Sequence, residues 1–220
     1  IVLETPTGLV TVYVKWENHM VASINLENVP AFLYRKDLHI DLAGYGDVSV
    51  DIGYGGNFFV LADVHSLGLT ITKDTVNLLR SLSKDILAAA NKVIKVAHPT
   101  NPAINYLDQV LFCQNVPEED GGYLAQCIFG DAQADISPCG TGTSTRLAQR
   151  YFRGLIGLEE TFVQKSVCGG AFHAKGLRET TLGGVPAIVP YVSCSDVHIT
   201  GFNHLIVEEN DKLKNGFVSW

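Results

Sequence analysis

The chain has 220 residues, 46% of them hydrophobic, with 16 basic against 23 acidic side chains and a formal charge of −7. That balance excludes nucleic acid as a partner, since phosphate binding needs clustered Lys and Arg, and so apolar a composition excludes a disordered chain. No apolar run approaches the roughly 18 residues of a membrane span, and the first residues do not read as a signal peptide.

The five cysteines (Cys113, Cys127, Cys139, Cys168, Cys194) are odd in number and widely spaced. They show no C-x-x-C or His-paired zinc spacing, so no metal site is expected. A disulfide scaffold is not expected at this size, which points to a reducing, cytoplasmic setting. The chain opens on a strand, Ile1-Val2-Leu3, without an initiator Met, as expected of a trimmed or partial chain.

Residues 1–64 read as β. Leu9–Trp16 and Val21–Leu26 alternate in polarity and are rich in branched and aromatic residues. Val48–Ile52 runs into a Gly53–Gly56 turn, and Phe58–Ala62 follows as a buried strand; Tyr54-Gly55-Gly56-Asn57 reads as a hairpin loop. From Lys73 to Val96 the period changes. Val76, Leu79, Leu82 or Ser83, Ile86, Leu87, Ala90, Val93 and Ile94 recur at helical steps, with Thr72 as N-cap and Asp74 near the positive end. Pro99 and Pro102 fit a stop beyond it, and His98 reads as a solvated loop residue. Val110–Phe112 is a strand and Pro117–Gly122 an acidic turn. Strands return at Thr161–Phe172, Val185–Ser193 and Val197–Val207, and the last residues read as peripheral. With neither repeat nor linker, residues 1–220 read as one α+β domain: a strongly curved sheet or barrel around a central helix.

The segment that carries chemistry is Asp135-Ile136-Ser137-Pro138-Cys139-Gly140-Thr141-Gly142-Thr143. It follows the strand Leu124–Phe129 and precedes a helix over Ser144–Phe152 that ends at Gly154. A cysteine thus sits in a glycine-rich turn at a helix start. The glycines let the backbone approach a ligand closely. The first helical turn has unpaired N–H groups suited to a carboxylate or phosphate. Its partial positive charge favours thiolate over thiol. The competing reading makes Cys139 a small buried apolar residue. A phosphate loop is disfavoured, because the Lys-Ser/Thr that completes one is absent.

The same stretch closely resembles the second cysteine motif of the proline racemase family, which includes the hydroxyproline 2-epimerases. The likeness extends to Leu3–Val10, Asp51–Phe59, Phe129-Gly130, Phe162–Phe172, Ile199–Asn203 and Lys214–Phe217, nearly the whole chain. It implies a two-lobed, diaminopimelate epimerase-like fold, each lobe wrapping a sheet around a helix, with this chain as one lobe. It also implies inversion at the α-carbon of proline or hydroxyproline without pyridoxal phosphate, metal or other cofactor. Two cysteines then flank the carbon, one as base and one as acid.

By matched position, the resemblance makes Cys139 one acid/base cysteine. Gly140 and Thr141 offer backbone N–H groups to the substrate carboxylate, Asp135 contacts the ring nitrogen, and Phe129 lines the ring pocket. Asp135 also reads as a loop cap for the turn at Ser137-Pro138, a role compatible with the first, and Phe129 reads equally as core. The family's other cysteine belongs to a Met-Cys-Gly-His motif upstream of the Leu3-Glu4-Thr5-Pro6 segment, and these residues hold no such motif. The expectation is that roughly the first third of a full-length member is missing and that the partner is this N-terminal lobe or a second copy. Lys165 departs from the family's usual Glu. Two alternatives stand beside the racemase reading. One is the related trans-3-hydroxyproline dehydratase, disfavoured because that branch commonly has Thr at the position of Cys139. The other is a catalytically incomplete fragment or binding module that keeps the family's shape.

Overall fold

Branched and aromatic side chains drive most of the chain into strands. The computed structural model describes residues 1–204 and 206–215. These form β1 (Val2–Thr5), β2 (Gly8–Glu17), β3 (Met20–Glu27), β4 (Phe32–Leu42), β5 (Gly46–Tyr54), β6 (Phe58–Asp63), α1 (Val76–Val93), β7 (Gln109–Cys113), β8 (Tyr123–Phe129), β9 (Gln133–Ala134), α2 (Gly140–Phe152), β10 (Phe162–Lys165), β11 (Ala171–Leu182) and β12 (Val185–Cys194). No described helix is long and apolar enough to cross a membrane.

The strands make one mixed sheet in the order β1-β2-β3-β12-β11-β10-β8-β7-β6-β5-β4, with β9 paired to β8. The pairs β6–β7 and β8–β10 are parallel, and the others are antiparallel. The sheet curls back on itself: Ala31 and Ile188 exchange backbone hydrogen bonds of 2.8 and 2.9 Å, bringing the start of the edge strand β4 to β12. Helix α2 lies within this curve, against β4, β5, β6, β11 and β12.

Period-two alternation loads both faces of the central strands. Phe58, Val60, Ala62, Val110 and Phe112 share one core with Leu79, Leu82, Ile86 and Ala90 of α1. Phe59, Leu61, Leu111, Cys113, Ala125 and Cys127 point the other way and pack with Cys139. The site therefore sits on the α2 side of the sheet.

Several local expectations change. Helix α1 runs over Val76–Val93, shorter than Lys73–Val96, and its N-cap is Thr75 rather than Thr72. The Thr72 hydroxyl instead accepts the Thr75 N–H at 3.3 Å, in a turn before the helix. Val93, placed on the apolar stripe by its spacing, is exposed. His98 is buried rather than solvated. Its Nδ1 accepts the Asn101 N–H at 3.1 Å, and its ring stands 4.8 Å from that of Tyr54. Strand β4 went unpredicted because Arg35-Lys36-Asp37 breaks the alternation; the register slips there, and Asp37 has φ 49°. Thr161–Phe172 divides into β10 and the start of β11 around a turn at 166–170. The described residues of Val197–Val207 form no strand. Leu205 within that segment, and Gly216-Phe217 of the closing segment, lie outside the described residues.

Candidate active site

The cysteine turn is held from below by side chains that are themselves buried. Gln164 donates through Nε2 to the Pro138 carbonyl (2.7 Å) and to Thr143 Oγ1 (2.9 Å). Gln126 Nε2 donates to the Asp135 carbonyl (2.8 Å), and Ser166 Oγ donates to the Ile136 carbonyl (2.8 Å). Behind Gln164 lies Arg146, with no exposed surface. It donates to the carbonyls of Leu124 (3.0 Å) and Gln114 (2.7 Å), to Asn115 Oδ1 (3.3 Å) and to Gln164 Oε1 (3.4 Å). None of these four residues was anticipated. The available signal was a strongly polar residue inside an otherwise apolar strand or helix face.

Helix α2 begins at Gly140, four residues before Ser144, and its N-cap is Cys139 itself. Cys139 adopts φ 67° and ψ 110°, a conformation that costs a non-glycine residue about 1–3 kcal/mol. The turn holds it there: the Cys139 N–H donates to Ser137 Oγ (3.0 Å), and the Ser137 N–H donates to Asp135 Oδ1 (2.8 Å). The result aims the sulfur back over the helix. Cys139 Sγ accepts the Gly142 N–H at 3.3 Å and lies 3.7 Å from Thr141 Oγ1. Thr143 already donates its N–H to the Cys139 carbonyl (2.8 Å). Gly140 and Thr141 fill the first turn, where N–H groups have no intrahelical acceptor. A β-carbon on Gly140 would meet nothing within 4 Å, so the turn is open on that side.

The structure gathers the expected residues around this turn. Asp135 is half-buried and caps the loop through Ser137, as its plainer reading expected. Phe129 is half-buried against the Phe59, Leu111, Cys139 cluster. Cys139 is buried, at 8% exposure. Cys127, passed over in the sequence for want of a helix start, proves to be its neighbour: the Cys127 and Cys139 sulfurs and an Asp135 carboxylate oxygen all lie within 4.8 Å of one another. The Cys127 thiol, followed by the Gly142 N–H and the Thr141 hydroxyl, holds the Cys139 thiol below its ordinary pKa, against the opposing effects of burial and of the Asp135 charge. Cys127 moves the other way, pushed up first by Cys139 and then by burial. Of the pair, Cys139 is the thiol displaced toward its ionised form.

A cavity of about 470 Å³ opens elsewhere, at the C-terminal end of α2, where Asp51, Asp63, Arg150 and Arg153 line it and Cys139 does not. Lys165 forms an ion pair with Asp120.

A curved mixed sheet folded around a helix, with a cysteine at that helix's N-cap, defines a class of cysteine-bearing α+β proteins, and comparison with known proteins narrows it. The profile of the family described as proline racemase matches residues 1–218. The trans-3-hydroxy-L-proline dehydratase of Burkholderia cenocepacia (strain HI2424) is 37% identical over 98% of this chain and 64% of its own length. The 3-hydroxyproline 2-epimerase of Burkholderia multivorans (strain ATCC 17616 / 249) is 36% identical with the same coverage. The crystal structure of a hydroxyproline epimerase from Agrobacterium vitis with bound trans-4-hydroxy-L-proline superposes with a TM-score of 0.84 at 30% identity, covering 100% of this chain and 62% of that one. The chain belongs to the proline racemase family. It spans about 64% of the length of these curated relatives.

Proposed function

We propose that residues 1–220 are one lobe of a two-lobed, diaminopimelate epimerase-like enzyme. In this reading the enzyme is a cytoplasmic racemase or epimerase that needs no cofactor and acts at the α-carbon of proline or hydroxyproline. The observation that carries the proposal is Cys139 Sγ at the N-cap of α2, accepting the Gly142 N–H.

Cys139 takes the α-proton from one face as thiolate, or delivers it as thiol in the reverse direction. The substrate carboxylate sits on the Gly140 and Thr141 N–H groups, which stabilise the charge that spreads onto it once the proton leaves. The open side of Gly140 leaves room for that approach. Asp135 holds the ring nitrogen as an ammonium, and Phe129 packs on the ring. Inversion needs a second acid on the opposite face, supplied by the family's other lobe or by a second copy.

Deuterium exchange tests this. The chain is incubated with L- and D-proline in deuterated water. It is expected to exchange the α-proton of one enantiomer without inverting it, and Cys139→Ser to abolish the exchange. Pyrrole-2-carboxylate, a planar mimic of the deprotonated substrate, is expected to slow alkylation of Cys139. Racemisation by the chain alone would refute the half-site, and no exchange with either isomer would leave only an inert fragment.

A second reading, dehydration of trans-3-hydroxyproline, draws support from the 37% identity to a dehydratase. Cys139 favours the racemase, because that branch commonly carries Thr there. Loss of water from trans-3-hydroxy-L-proline, absent with 4-hydroxyproline, would reverse the preference.

A further inference from the structure

Cys127 has no part in the chemistry above, yet its thiol lies beside the reactive one. Its sulfur, Cys139 Sγ and an Asp135 carboxylate oxygen converge within 4.8 Å of one another, from a strand, a helix cap and the loop between them. We propose that these three residues form a site for a thiophilic divalent cation, zinc above all, which on binding closes the thiolate assigned to catalysis.

The donor set fits such an ion. Zinc takes thiolate sulfur at about 2.3 Å and carboxylate oxygen at about 2.0–2.2 Å in a tetrahedron, which separates neighbouring donors by roughly 3.5–3.8 Å. Donors already within 4.8 Å reach that spacing by side-chain rotation of about 1 Å, without moving the strand or the helix. Two sulfurs select zinc or cadmium over magnesium and calcium, which prefer all-oxygen sites. Three protein donors leave a fourth position for water, on the half-buried Asp135 side.

The charges also balance. Two thiolates and a carboxylate around a dication leave one net negative charge at the N-terminus of α2, where the Gly142 N–H already points at Cys139 Sγ. Each thiol still protonated loses its proton to solvent as its S–metal bond forms, since a coordinating thiol is deprotonated outright. No oxidant or reductant takes part.

The metal site stands on geometry alone, whereas its inhibitory consequence rests on the proposed racemase activity, so the test reads them separately. The chain, kept reduced, is titrated with cadmium, and the ultraviolet thiolate-to-cadmium charge-transfer band is followed. A saturable band at one cadmium per chain, displaced by zinc and not by magnesium, is the expected result. Cys127→Ser and Cys139→Ser should each cut the band to about half, one thiolate replacing two. Each should weaken binding by more than the roughly 10–100-fold typical of losing an outer-shell partner. Asp135→Asn, on the half-buried loop and so not disruptive of the core, should weaken binding while keeping the full band. Cys168→Ser, at an exposed cysteine, should change nothing. Absence of a saturable band, a band indifferent to Cys127→Ser, or a band lost with Cys168→Ser would overturn the site. Where the metal-free chain exchanges the α-proton, zinc should stop it and a chelator restore it. Exchange that zinc leaves untouched at saturation would overturn the inhibitory role, whereas a full band without any exchange supports the site and counts only against the racemase reading.

Discussion

Gly55 lies against Thr141 so closely that a β-carbon at position 55 would stand 2.6 Å from the Thr141 carbonyl oxygen and 2.6 Å from the Thr145 backbone nitrogen. The neighbours repeat the constraint: a β-carbon on Gly53 or Gly56 would come within 2.7 Å of Thr145 Cγ2 or Thr141 Cγ2. Gly53 and Tyr54 still belong to β5, so the hairpin turn is Gly55-Gly56-Asn57, later than the Gly53–Gly56 turn read from the sequence, and this stretch is also the seat of the first turn of α2. Gly55→Ala meets backbone atoms that cannot rotate away, so it should push the helix start outward. We expect a loss of about 1–3 kcal/mol, the usual range for overpacking. Cys139 alkylation should slow along with it. Urea unfolding and mass-spectrometric alkylation rates check both effects.

Arg146 is fully buried and faces carbonyl and amide oxygens rather than a carboxylate, with its guanidinium 5.5 Å from the Tyr123 ring centroid and 5.4 Å from that of Phe162. Arg146→Met fills the space but strands the Leu124 and Gln114 carbonyls, each at about 1–3 kcal/mol. It also frees Gln164, which holds Pro138 below the cysteine. Chemical denaturation should show destabilisation well beyond that of a surface Arg→Met, and the displaced turn should lower Cys139 reactivity.

Asp51 gives a pH signature unrelated to the cysteine. Burial disfavours its ionised form, but hydrogen bonds from Arg153, then Gln149, then the Asp37 N–H hold its carboxyl below the usual carboxylate range. A depressed folded pKa contributes stability that is present above the unfolded value of about 3.9 and is lost as pH falls through the folded value. The melting temperature should therefore drop in that acid window. Asp51→Asn should flatten the drop and destabilise the protein at pH 7. The loss should fall below the about 3–5 kcal/mol of a fully buried broken pair, because Arg153 keeps 30% of its side chain exposed. Thermal melts across the acid range decide it.

Cys127 is the largest influence lowering the Cys139 pKa. Wild-type Cys139 should reach half its maximal alkylation rate at a lower pH than an ordinary thiol does. Cys127→Ala removes the neighbour, leaves burial in place, and should move that midpoint up. Rate against pH for the two proteins, followed at the Cys139 peptide, measures the shift.

The strands β2, β3, β5 to β8 and the helical character of α1 were legible because their apolar residues keep one period over many positions. The cysteine turn was legible because Pro, Cys, Gly and Thr in that order suit a strand-to-helix turn with an open N-terminus. Strand β4 was not, since its bulges at Arg35 to Leu38 break the period from which a strand is read. His98 was misread because a loop histidine shows nothing of the aromatic rings that fold over it. Arg146 and Gln164 stayed invisible because a polar residue in an apolar stretch signals burial only once its partners, 18 to 32 residues away, are known.

By itself the sequence determined the family, the α+β character and the place of Cys139 in a turn at a helix start, because each is written in local pattern and contiguous motif. The tertiary structure alone decided that Cys127 stands beside Cys139, that glycines 53 to 56 make room for α2, and that a buried arginine braces the turn. These depend on a sheet curling until residues far apart in the chain come within bonding distance, and such distances are set by chain closure and packing rather than by neighbours in sequence.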